Sequence, residues 1–146
     1  MSDRSNYLDL IRELIKGDPE AYHQRCEQLD EEGWDELGLV VGAAFFLATR
    51  RKFATSTTTT SVIQLVADAR TQMTGTGFGL DPVVAEQLLT SAVTGDTSAL
   101  ESVEPNLIIE SEMLLLWHLL QPLGDSDLSG FLAEVDVLAE QWSHEA

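Results

Sequence analysis

A chain of 146 residues is the size of one ordinary domain. With 44% hydrophobic and 23% charged residues it can bury a core of its own, which excludes a disordered chain and a fibrous repeat. Charge is the outlier: 8 Lys and Arg against 25 Asp and Glu leave a net −17, a sign that repels phosphate and argues against direct nucleic-acid binding.

Taken in order, the segments carry the 3.6-residue period. Tyr7, Leu8, Ile11, Leu14 and Ile15 stripe a first helix over 5–16. This charged start has no apolar core of a signal peptide. Asp18-Pro19 reads as an N-cap followed by the first helical residue, where proline loses no hydrogen bond, and opens a helix over 19–31. Leu37 to Ala48 is uncharged and predicts a buried helix over 35–53. It is shorter than the roughly 20 residues that a membrane span needs. Within it, Gly38 and Gly42 lie four apart, a spacing that lets a neighbouring helix approach closely.

Thr55–Ser61 is either a short linker or a helix entry. Val62, Leu65, Val66, Ala69 and Met73 predict a helix over 60–74, and Asp81-Pro82 opens another over 82–94. A short helix over 97–103 follows, and Glu104-Pro105 opens a strongly apolar one over 105–121. The last helix, 126–143, carries Leu128, Phe131, Leu132, Val135, Leu138, Ala139 and Trp142, with Ser126 as its expected cap. No segment alternates with period two.

The expectation is therefore all-α: a single-domain bundle of seven or eight helices over 1–146. Leu14-Ile15-Lys16-Gly17-Asp18 resembles Ala92-Val93-Thr94-Gly95-Asp96, each a helix ending at glycine and a new one starting at aspartate. That hints at two pseudo-repeated four-helix halves, 1–74 and 81–146, joined by the connector Gly75-Thr76-Gly77-Phe78-Gly79. The connector is not read as a phosphate loop, because a helical stretch precedes it and no lysine follows.

Candidate chemistry is sparse. Glu20, His23, Cys26 and Glu27 share one helix face, but no second Glu-x-x-His exists to complete a two-metal site, and Cys26 is the only thiol. Neither a metal nor a cofactor is expected. His118, beside Trp117 in an apolar run, is the best candidate for a pocket side chain, with Trp34 as a second aromatic wall. Glu27, Asp30, Glu31, Glu32, Asp35 and Glu36 lack calcium-loop spacing and read as a solvated turn.

Charge is divided unevenly along the chain. All eight basic residues precede residue 71, and residues 71–146 hold 13 acids. That favours a basic protein partner, recognised through Glu101, Glu104, Glu134, Asp136 and Glu140. The function expected is a non-enzymatic protein-binding or regulatory domain in the cytoplasm. The alternative is an enzyme or small-ligand binder with a pocket near Trp117 and His118. Arg50-Arg51-Lys52 complements a helix dipole, or pairs with the acidic half within or between chains. With the apolar 105–121 helix and the Gly38/Gly42 face, it points to a homodimer.

Overall fold

Both aspartate–proline pairs open helices. In the computed structural model, which describes residues 4–53, 59–77 and 79–145, Asp18 accepts from the backbone N–H of Ala21 at 3.1 Å. Asp81 accepts from Val83 and Val84 at 2.9 and 3.1 Å. The described residues form seven α-helices and no strand: α1 Ser5–Lys16, α2 Pro19–Glu32, α3 Leu37–Lys52, α4 Thr59–Gln72, α5 Pro82–Thr94, α6 Pro105–Leu120 and α7 Asp125–Glu145. The fold is all-α, as expected.

Three details depart from expectation. The 97–103 segment is only a 3-10 turn, Ser98–Leu100. Its seven residues are too few to nucleate an α-helix, and Asp96 captures the Ser98 N–H at 3.0 Å. Ser126 does not cap α7, which begins one residue earlier at Asp125; the Leu128 N–H bonds to Gly124 O at 2.9 Å. Gly38 is exposed, so the Gly38/Gly42 spacing does not mark one packed face. A Cβ on Gly42 would stand 3.9 Å from the Trp142 ring, an ordinary contact. Most of the Thr55–Ser61 stretch lies outside the described residues, as does Phe78.

The chain divides into two compact units. The first is Met1–Ala44 with Leu120–Ala146. In it α1 packs against α2 and α7. Its core takes Leu10, Ile11 and Ile15 from α1, Leu29 from α2, Val40 and Val41 from α3, and Leu128, Phe131, Leu132, Val135 and Ala139 from α7. Tyr7 joins the turn between α2 and α3 to α1. Its hydroxyl donates to Gly33 O at 2.9 Å and accepts from Glu36 N at 3.4 Å. Gly17 ends α1 in the left-handed region (φ 72°), which glycine enters without strain.

The second unit is Phe45–Leu119, and the glycine connector lies inside it. Here α4 packs on α5, and α5 on the 3-10 turn. The predicted stripe Val62, Leu65, Val66, Ala69 and Met73 is buried throughout. From α6, Leu115 and Leu116 are buried together with two polar residues, Ser111 and Glu112. Thr49, in the part of α3 that belongs to this unit, is fully buried, and its hydroxyl has no partner among the described residues. No helix is long and apolar enough to cross a membrane among the described residues.

Candidate functional site

Sorting the charges by unit relocates the acidity. The first unit carries four Lys and Arg against seventeen Asp and Glu, a net −13; the second carries four against eight, a net −4. The sequence halves had placed the excess in residues 71–146. The fold gathers it instead where α7 joins the N-terminal helices.

All four cations of the first unit meet carboxylates of the same unit. Arg4 Nε lies 3.1 Å from Glu36, and the same guanidinium hydrogen-bonds Glu140. Arg25 reaches Glu13 at 3.0 Å and Asp9 at 3.7 Å. Lys16 lies 3.4 Å from Asp125, and Arg12 3.9 Å from Asp9. The bond to Glu140 raises Arg4 above its ordinary pKa, and that to Glu13 does the same for Arg25. Other carboxylates are left on the surface. Glu20, Glu27, Asp30 and Glu31 of α2 are exposed, as are Asp35 and, on α7, Asp127 and Asp136. Glu27 lies 3.2 Å from His23 Nε2, Asp30 accepts from the Trp34 indole N–H at 2.7 Å, and Asp136 adds to the field at Arg4.

The five acids expected to bind a partner fall into two groups. Glu134, Asp136 and Glu140 are exposed on α7 in the first unit; Glu101 and Glu104 are exposed just after the 3-10 turn in the second. Glu140 is already engaged. Bonds from Arg4 and then His144 hold its carboxyl below the usual range. That clasp links residues 136 positions apart and no local pattern announces it.

The aromatic candidates belong to different units. Trp34, half-buried in the first unit, is tied to Asp30. Trp117 and His118 are half-buried on α6 in the second. His118 Nδ1 pairs with Gln72 Oε1 on α4, which requires the proton on Nδ1. Burial pushes its pKa down, against a raising pull from Asp68, so the ring is neutral at pH 7. Cys26 is half-buried on α2, and burial, with Asp30 second, pushes its thiol up and away from reactivity. No group of three or more His, Cys, Asp or Glu could hold a metal among the described residues.

A wide, open concavity of about 760 Å³ lies in the second unit at the end of α4. Arg70, Thr71 and Thr74 line it with Gly75, Gly77 and Gly79 of the connector. Neither tryptophan nor His118 is among its lining residues. Sequence reasoning weighed the glycines against phosphate-binding loops, which follow a strand and, in the P-loop, precede a lysine. The cation here precedes them, on the last turn of α4.

Comparison with protein-family models, curated proteins and solved structures finds no match to this chain.

Proposed function

We propose that the chain is a non-enzymatic protein-binding module that takes a basic protein partner on the acidic surface of its first unit. One observation carries the reading. After all four cations of that unit have met internal carboxylates, exposed acids remain along α2 and α7. Carboxylates held near one another without counter-charges cost stability, and a cationic partner relieves that cost on binding. Its exposed carboxylates are Glu27, Asp30 and Glu31 on α2 and Glu134 and Asp136 on α7. Glu101 and Glu104 form a separate pair, in the less acidic unit.

A labelled arginine-rich peptide, followed by fluorescence anisotropy, tests this. One variant carries Glu27→Gln, Asp30→Asn and Glu31→Gln. A second carries Glu101→Gln, Glu104→Gln and Glu110→Gln. Each removes three charges. Recognition by a defined surface makes the first variant weaken binding much more than the second, with affinity falling as salt rises. Equal losses in the two variants mean that net charge alone attracts the peptide, and the reading fails.

A second copy of the chain is the other partner this reading keeps. Leu107, Ile108, Ile109, Met113, Leu114 and Trp117 of α6 are only half-buried, an apolar surface that self-association would cover. Sedimentation at high micromolar concentration should then show a dimer, and a monomer there removes this part.

A further inference from the structure

Building on the basic-partner reading, we propose that Glu36, Asp136 and Glu140 form an arginine subsite of the first unit, which Arg4 fills in the free chain and which a partner's arginine takes by displacing it. All four residues belong to that unit. Asp136 and Glu140 stand one turn apart on α7, so their carboxylates share a face. Glu36 immediately precedes α3. The three acids meet on one cation. Arg4 hydrogen-bonds Glu140, its Nε lies 3.1 Å from Glu36, and Asp136 adds to the field there. Acids clustered by chance show no preference between arginine and lysine. These three already hold a guanidinium, and a planar, forked donor is what arginine alone supplies.

The Arg4 side chain leaves without unravelling its helix. It stands at the N-cap of α1, but the side chain makes no capping hydrogen bond. The helix start is held by the Arg4 backbone carbonyl, which accepts from Tyr7 N at 3.0 Å and Leu8 N at 3.1 Å.

The internal fit is also incomplete. Arg4 Nε and Glu36 Oε2 are both buried, yet neither has a hydrogen-bond partner among the described residues. A buried donor and acceptor left unmade cost stability. A guanidinium from a partner is not tied to the α1 backbone, so it approaches at the angle that satisfies both. Glu140 is the open side of the subsite, with its side chain 54% exposed. Exchange also returns rotamer freedom to Arg4. A lone arginine does not offset its own loss of freedom on binding. An arginine-rich partner does, because its other cations meet the remaining exposed acids of the unit.

The test uses the full chain and two labelled peptides of equal length, one rich in arginine and one in lysine, followed by fluorescence anisotropy. Arg4→Gln should tighten the arginine peptide roughly fivefold or more, because the competing side chain is gone. Lys16→Gln removes the same charge from the same unit and frees only Asp125, so it should tighten it by about twofold at most. The lysine peptide should gain no more from the first variant than from the second. Adding Glu140→Gln to Arg4→Gln should abolish the gain. In the parent, the Arg4 Nε–H NMR signal, identified by its loss in Arg4→Gln, should move as the arginine peptide saturates. Far-ultraviolet circular dichroism checks that each variant keeps its helices. An Arg4 signal that stays in place at saturation, or equal gains from Arg4→Gln and Lys16→Gln, overturns the subsite and leaves the α2 surface standing. Equal gains for the two peptides overturn the arginine assignment. The broader acidic-surface reading fails on other variants, the α2 triple against the Glu101, Glu104 and Glu110 triple, so the two failures are told apart.

Discussion

A carboxyl on the buried side of α6 sets a pH dependence that the rest of the surface does not share. Glu112 is 9% exposed, and burial alone pushes its pKa from 4.5 up to about 7. Below 4.5 the group is protonated whether the chain is folded or not, and nothing is lost. Between those values the unfolded chain releases the proton while the folded chain keeps it, so stability falls as pH rises. Above pH 7 the full cost is in place, on the order of 3 kcal/mol. Glu112→Gln keeps the shape and removes the ionisation. Urea unfolding should show the variant more stable than the parent at pH 8, by up to that amount, with the gain gone by pH 4.5. A constant difference across that range would show that Glu112 ionises freely in the folded chain.

At the scale of elements, helix identities were legible and the ties between helices were not. Asp18-Pro19, Asp81-Pro82 and Glu104-Pro105 mark three starts correctly, because a cap and its proline act within four residues. The α4 stripe predicts its own burial for the same reason. The Arg4–Glu140 clasp is different in kind. It joins the start of α1 to the last turns of α7, and any of several acids on α7 could have been chosen on sequence grounds. Glu140, expected on a partner surface, is exposed and also hydrogen-bonded by Arg4. The concavity was hidden likewise, since its cation and its glycines belong to no motif of fixed spacing.

The clasp has a measurable consequence. Arg4 is nearly buried, its side chain 11% exposed, so the pair is less screened than a surface one. Arg4→Gln should lower the melting temperature by roughly 2–4 °C at pH 7. Glu140 is held below its ordinary pKa, so the stability it contributes is fully present above about pH 4.5 and is lost as pH falls through the lower, folded value. The difference between Arg4→Gln and the parent should therefore close on acidification below that point. A difference that persists unchanged at pH 3 would assign the effect to packing of the Arg4 stem.

For the whole molecule, the governing quantity is the −13 concentrated in the first unit. Its four cations are committed to Glu36, Glu140, Asp9, Asp125 and Glu13, which leaves the other exposed acids of α2 and α7 in excess. Those acids repel one another in the folded chain more than in the expanded one, where they are farther apart. Added salt shortens the range of that repulsion to about 8 Å at roughly 0.15 M and about 3 Å at 1 M. Salt also weakens the ion pairs, but contact pairs are screened less than the diffuse field. The balance favours relief, so melting temperature should rise with sodium chloride between about 0.02 and 0.5 M. The triple neutralisation of Glu27, Asp30 and Glu31 should raise it at low salt and flatten the further rise, because it removes the repulsion that salt would have screened. The same variant should lose affinity for a basic peptide. Stability and recognition then move in opposite directions on the same three substitutions. A variant that lost both would place those acids in holding the fold together instead of in contacting a partner.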